Sequence, residues 1–184
     1  MTAILLSERL RLAPLTGQDA APLHQLLLEP AVSQGLFEGR RLSREQAEQL
    51  AGRSEWSHGQ GEPGLWTLAL RQPVVPWIGF AGFWSFGVDD ERPELSYALA
   101  PAWRARGYAA EAVRTVLGAV FASGAIREIR ATTEAANLAS LRLLQRIGFL
   151  PDGQRAARRG QLCLRLPRGV YLGRALAAGG PADG

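Results

Sequence analysis

The chain has 184 residues, a formal net charge of +4 and 47% hydrophobic residues, which suits one globular domain able to bury a core without disulfide or metal staples. No apolar run reaches the length of a membrane span, the N-terminus lacks a signal-peptide pattern, and a single cysteine excludes an internal disulfide. A soluble protein of the reducing cytoplasm is expected, not a secreted or membrane-spanning one.

Glu8-Arg-Leu-Arg-Leu12 alternates polar and apolar residues and predicts a half-buried strand. Asp19 is placed to cap a helix running to about Glu29, where Pro30 stops it. The loop from Ala31 to Arg41 follows. Ser43 and Gln46 have the spacing of a capping box, and Ala47, Leu50 and Ala51 share one face of the helix they open, which ends near Ser57. Beyond a glycine-rich stretch, Leu65–Leu70 and Trp77–Trp84 are rich in aromatic and branched residues and read as an antiparallel pair. Trp56, Trp66, Trp77 and Trp84 read as core or rim packing. An acidic loop around Asp89 and Asp90 leads to a third strand, Glu94 to Ala100.

From Ala110 the period changes. Val113, Val116, Leu117, Val120 and Phe121 form one helical stripe, ended by Gly124. Glu128 to Thr133 is a short strand, and the strand–helix–strand order implies a parallel crossover. Asn137 opens a helix through Leu138, Leu141, Leu144 and Ile147, with Gly148 as its stop. Phe149 onward and Leu162 to Leu166 form a closing pair of strands, with Cys163 a buried, inert thiol. The fold class is α+β, a mixed α/β chain with a mostly antiparallel sheet. Residues 1–176 are expected to form one domain and residues 177–184 a disordered tail. His24 and His58 are far apart and no metal-ligand spacing is present, so no metal is expected. All 21 basic residues are arginine and they are scattered. The densest cluster, Arg155, Arg158 and Arg159, reads as a solvated loop, and nucleic acid is not an expected partner.

The turn Arg104-Ala-Arg-Gly-Tyr-Ala109 joins a strand to a helix. A helix N-terminus presents unpaired N–H donors and about half a positive charge, which favours an anion. Gly107 lets a ligand approach the backbone closely, and Arg104 and Arg106 add charge. Taken alone, the turn reads first as a structural connection. The chain has neither G-x-x-x-x-G-K-[ST] nor a G-x-G-x-x-G after a first strand, which argues against nucleotide hydrolases and dinucleotide dehydrogenases. The antiparallel meander argues against a Rossmann sheet.

Arg104 to Ala109 resembles the R/Q-x-x-G-x-G/A pyrophosphate loop of the GNAT N-acetyltransferases. Glu8-Arg-Leu-Arg-Leu12 resembles the opening of their RimJ/RimL-type branch, which acetylates ribosomal-protein N-termini. Glu94-Leu-Ser-Tyr97 resembles that branch's E-[IL]-G-Y strand, and Ala109-Ala-Glu-Ala112 its A-T-E-A helix start. Asn137-Leu-Ala-Ser140 with Gly148-Phe149 resembles its N-x-x-S…G-F helix. The likeness spans residues 8–166 in order. Ser96, Ala105 and Ala110 stand where the pattern commonly has glycine, glycine and threonine.

The resemblance implies a GNAT fold with a parallel central pair splayed at the cofactor site and helices on both faces. It implies acetyl-coenzyme A as cosubstrate. Main-chain groups around Leu99, Ala100 and Pro101 would pair with the pantetheine arm. Arg104, Arg106, Gly107, Tyr108 and Ala109 would hold the pyrophosphate, and Asn137 and Ser140 would touch the cofactor. Arg142 and Arg146 lie within reach of a 3′-phosphate, although a solvated helix face is their first reading. A neutral amine would attack the thioester directly, with Glu94 as the candidate base and Ser140 or Tyr97 protonating the thiolate. Glu94 reads equally well as a strand-end carboxylate facing solvent. An α-amine titrates near ~7.7–8.0 and a lysine-type amine near ~10.4, so the one evident carboxylate suits a peptide or protein N-terminal α-amine. A free amino acid, a polyamine and an aminoglycoside stay open as acceptors, as does a catalytically silent coenzyme A-binding module. The expected state is a monomer or homodimer, with no membrane partner.

Overall fold

Strand alternation buries Leu10 and Leu12 completely and leaves Arg11 between them exposed. The same rule builds most of the sheet. The structure, a computed structural model, describes residues 3–84, 93–153 and 160–179. Its strands are β1 (Leu5–Leu6), β2 (Leu10–Pro14), β3 (Leu65–Leu70), β4 (Val75–Trp84), β5 (Glu94–Leu99), β6 (Glu128–Glu134), β7 (Leu150–Pro151) and β8 (Gln161–Pro167). They form one eight-stranded sheet in the order β1-β2-β3-β4-β5-β6-β8-β7. Neighbours are antiparallel except β5 and β6, which are parallel. The expected mixed, mostly antiparallel α+β fold is what the chain adopts.

The helices are α1 (Ala20–Leu27), α2 (Pro30–Phe37), α3 (Arg44–Gly59), α4 (Tyr108–Ala122), α5 (Leu138–Ile147) and α6 (Arg168–Gly179). One core lies between the sheet and the stripe of α4, where Val113, Val116, Leu117, Val120 and Phe121 are fully buried. A second core joins α1, α2 and α3 to Leu15, Leu65, Phe80 and Ala98 on the other side. Both faces of the sheet are therefore covered.

Three expectations change. Asp19 precedes α1, but its side chain does not cap it. The carboxylate instead accepts from the Thr16 N–H at 2.9 Å and the Thr16 hydroxyl at 3.1 Å, closing a short 3-10 turn. Pro30, expected as a stop, opens α2. At the first helical position its missing N–H has no intrahelical partner to lose, so much of the expected loop from Ala31 to Arg41 is helix. Finally, α6 is a helix that the sequence reading omits. Gly169 and Gly173 weaken its local helical signal, and tertiary contacts replace it: Tyr171 stacks on Phe121 at 5.2 Å and donates to the Arg114 carbonyl at 3.0 Å. Residues 177–179 of the expected tail belong to this helix, and residues 180–184 lie outside the described residues. So do the acidic loop at Asp89 and Asp90 and the Arg155, Arg158 and Arg159 cluster.

The capping box is as expected. The Gln46 N–H donates to Ser43 Oγ at 3.2 Å and the Ser43 N–H to Gln46 Oε1 at 2.8 Å. The feature that places the site is the β5–β6 pair. It holds register at Glu94 and Arg130, where the Arg130 N–H donates to the Pro93 carbonyl at 3.0 Å. Toward Leu99 and Glu134 no further pairing of the two parallel strands occurs among the described residues, and the ladder opens into a splay there.

Candidate active site

The splay opens where β5 ends and the anion-type turn begins. Pro101–Trp103 form a 3-10 turn. Arg104 then folds back and its Nε donates to the Leu99 carbonyl at 2.9 Å, while its Nη2 is buried without a hydrogen-bond partner among the described residues. Ala105 and Gly107 both take left-handed backbone angles, φ +57° and +83°. Gly107 is the N-cap of α4 and provides no capping side chain, although its carbonyl accepts from the Glu111 N–H at 3.1 Å. The first-turn N–H groups of Tyr108, Ala109 and Ala110 are thus presented without a capping side chain. They share the turn with the buried, unpartnered Arg104 Nη2. This donor set fits a phosphate or pyrophosphate. Arg106 is exposed and lies over the Trp103 ring at 5.4 Å.

Left-handed φ at a residue with a Cβ costs roughly 1–2 kcal/mol, partly offset by the extra freedom that glycine has in the unfolded chain. Ala105→Gly should therefore stabilise the protein by about 1 kcal/mol, raising Tm by about 2–3 °C. Differential scanning calorimetry checks this, and a lower Tm would contradict the strain at Ala105.

A cleft of about 1220 Å³ runs from this turn along the splay to α2. Tyr97 and Ser140 meet inside it, with their hydroxyl oxygens 2.8 Å apart. Asn137 caps α5, its Oδ1 accepting from the Ser140 N–H at 3.1 Å, which fixes the serine one turn along. Burial pushes the Tyr97 phenol up to about 12, against a smaller lowering by the Ser140 hydrogen bond. Tyr97 therefore stays protonated at any physiological pH and can act as a donor.

The expected pantetheine-pairing segment is placed unevenly. The Ala100 N–H donates to the Ile78 carbonyl at 2.9 Å, and Pro101 has no N–H. Because pairing alternates along a strand, Tyr97 and Leu99 are the residues whose main-chain groups turn away from β4 toward the splay. Glu94 also lines the cleft, at the pinched end of β5. Alternation puts it on the face opposite Tyr97 and roughly 10 Å along the strand. The structure thus brings Tyr97, Ser140 and Asn137 together and leaves Glu94 apart from them. Arg142 and Arg146 are exposed on α5 and line the cleft with Arg114 of α4.

The segment from Ala31 to Arg41, which carries Phe37 and Glu38, lines the cleft, whereas Glu134 is a cleft residue that sequence reasoning missed. Glu38 and Glu134 are further carboxylates in the cleft. Gln161 donates to Glu38 at 3.3 Å and Gln34 to Glu134 at 2.6 Å, tying α2 to β8 and β6. No local motif carries these pairings, which join residues about a hundred positions apart. Cys163, expected to be buried, is half-buried and lines the cleft. Glu111, in the first turn of α4, accepts from the Ser7 hydroxyl at 2.7 Å and from the Arg9 N–H and Nε at 2.8 and 2.7 Å. Partial burial raises its carboxyl, but these hydrogen bonds and the Arg9 charge outweigh that effect and hold it below the ordinary value. His24 and His58 have structural roles, the Nε2 of each ring meeting a backbone carbonyl, Leu42 and Leu65 respectively. No group of three metal-binding side chains occurs among the described residues.

The sequence model of a family described as "Acetyltransferase (GNAT) domain" matches residues 9–150. The uncharacterized N-acetyltransferase YoaA of Bacillus subtilis (strain 168) is 27% identical over 153 residues, covering 83% of this chain and 86% of that protein. An acetyltransferase structure from Agrobacterium tumefaciens str. C58 superposes with a TM-score of 0.76 at 23% identity, over 90% of this chain and 95% of that one. The RimL ribosomal L7/L12 α-N-protein acetyltransferase in complex with coenzyme A superposes at 0.72 with 18% identity, over 90% and 98%. These two structures share the fold.

Proposed function

The chain belongs to the GNAT acetyltransferase family, and from that membership we propose that it transfers an acetyl group from acetyl-coenzyme A to the α-amine of a peptide or protein. The observation that carries this reading is the meeting of two features in one cleft: an uncapped helix N-terminus at Gly107 and the half-buried Tyr97–Ser140 hydroxyl pair beside the β5–β6 splay. The turn from Arg104 to Ala109 holds the pyrophosphate. The main-chain groups of Tyr97 and Leu99 pair with the pantetheine arm, with Asn137 and Ser140 on its other side. Arg142 and Arg146 lie along the path toward the 3′-phosphate.

The amine nitrogen attacks the thioester carbon, the carbon–sulfur bond breaks, and the thiolate leaves. Glu94 takes the amine proton, through a water given its distance from Tyr97. Tyr97 protonates the thiolate, with Ser140 steadying its hydroxyl. Glu38 and Glu134 are the other carboxylates of the cleft, each accepting from a glutamine side chain. An α-amine asks least of the base, since roughly a tenth of it is neutral at pH 7. For a lysine amine the neutral share is only about one part in a few thousand.

Purified protein is incubated with acetyl-coenzyme A and short peptides, free lysine, a polyamine or an aminoglycoside, and free thiol is followed. Peptides with unblocked N-termini should react fastest. Preference for lysine side chains would overturn the α-amine reading, and coenzyme A binding without amine-dependent thiol release would identify a silent module. Glu94→Ala should lower kcat by about 10²-fold at unchanged KM for acetyl-coenzyme A. Unchanged turnover removes Glu94 as the base.

A further inference from the structure

The strand opening at Glu8-Arg-Leu has no part in the chemistry above, yet it reaches the cofactor turn. The Arg9 guanidinium donates through Nε to Glu111 Oε2 at 2.7 Å and through Nη1 to the Arg106 carbonyl at 3.1 Å. It lies over the Tyr108 ring at 4.6 Å. A Cβ added at Gly107 would come within 3.2 Å of Arg9 Nη2. One planar side chain thus backs three consecutive residues of the turn, while Arg9 itself sits in the bend before β2, its carbonyl accepting from the Arg71 N–H at 3.0 Å. Arg9 does not line the cleft, whereas Gly107 and Tyr108 do. It therefore stands behind the turn.

The Arg106 carbonyl and the Gly107 N–H belong to one planar trans peptide and point in opposite directions. Holding the carbonyl back against Arg9 turns the Gly107 N–H forward, into the cleft. Left-handed Ala105 precedes this peptide, and a residue with a Cβ keeps that conformation only where its surroundings hold it. We propose that Arg9 is the positioning residue of the pyrophosphate turn, fixing the peptide between Arg106 and Gly107 so that its N–H faces the cofactor. The inference rests on the coenzyme A reading of the site. Glu111 completes the device: it anchors the guanidinium to the helix that the turn opens, so the bend before β2, the turn and the helix are tied together.

The test is isothermal titration of coenzyme A into the unaltered protein, Arg9→Met, Arg9→Lys and Ser7→Ala, alongside steady-state kinetics and thermal melts. Losing this charge-assisted hydrogen bond should raise Kd and KM for the cofactor about 10- to 100-fold in both Arg9 variants. Turnover at saturating acetyl-coenzyme A should stay within about threefold. Arg9→Lys keeps the charge but not the planar fork, so it should fail to rescue. Ser7→Ala removes one bond to Glu111 and the hydroxyl's bonds with the Leu10 backbone, and it spares the Arg106 contact, so it should lower Tm while Kd stays put. If Arg9→Met does not fold, Arg9→Lys carries the comparison. Arg9 variants that bind coenzyme A as tightly as the unaltered chain would overturn the proposal. So would a Ser7→Ala variant that weakens binding as much as they do. A folded, unaltered protein that binds no coenzyme A would overturn the reading of the site itself.

Discussion

Tyr97→Phe is expected to lower kcat by about 10²-fold or more while changing the KM for acetyl-coenzyme A only a few-fold. The phenol is half-buried and meets Ser140 Oγ at 2.8 Å, so phenylalanine keeps the ring and its packing and removes the proton that Tyr97 would give to a leaving thiolate. Positioned proton donors contribute roughly 10²–10⁴-fold. Because burial pushes the phenol up to about 12 from its ordinary 10.0, its deprotonation should not limit the rate near neutral pH. The linkage has a definite sign. Below pH 10 the phenol is protonated in the folded and unfolded chain alike and stability does not depend on it. Between 10 and about 12 the unfolded chain ionises first, and stability falls as pH rises. Ser140→Ala should cost less than Tyr97→Phe, and the double variant should be no worse than Tyr97→Phe alone, since the two hydroxyls act as a unit. Additive losses would mean separate roles, and full turnover by Tyr97→Phe would remove it as the acid.

Gly79→Ala should be the most damaging small substitution in the sheet, costing about 4 kcal/mol or more, a large part of a typical domain's ~5–15 kcal/mol. Gly79 pairs with Leu99 across β4 and β5. An added Cβ would collide with the Ala98 carbonyl oxygen and sit 3.0 Å from Leu99 Cα, at a φ of +156°. The obstacle is backbone, so no side-chain rotation relieves it. Strand β5 would have to move, and its far edge forms the splay, so activity should fall with stability. Gly52→Ala is the control. Nothing lies within 4 Å of a Cβ there, and in the middle of α3 alanine should stabilise by about 0.5–1 kcal/mol. Urea unfolding of both variants tests the contrast, and equal effects would show that the close approach at Gly79 is unimportant.

The sequence made the central part of the site legible because that part is local. The Glu94–Leu99 strand, the Gly107 turn, the α4 stripe and the Asn137–Ser140 cap each lie within a short window where periodicity, capping chemistry and glycine placement speak directly. The readings that failed depended on context. Pro30 has the same φ whether it ends one helix or starts the next. Asp19 had two backbone and side-chain partners to choose from and took those of Thr16. The α6 segment is held by Phe121 and Arg114, not by its own propensity.

By itself the sequence determined the order and type of the strands around the site, the phosphate-type turn and the residues of the α5 cap, because these follow from nearest-neighbour chemistry along the chain. Only the tertiary structure decided that β5 and β6 keep register at Glu94 and Arg130 and then splay. It also decided that Tyr97 meets Ser140 while Glu94 lies on the opposite face, that Glu134 enters the cleft, and that Arg9 backs the turn. Each of these depends on how separate elements pack, through distances set by residues tens to a hundred positions apart. No local pattern encodes them.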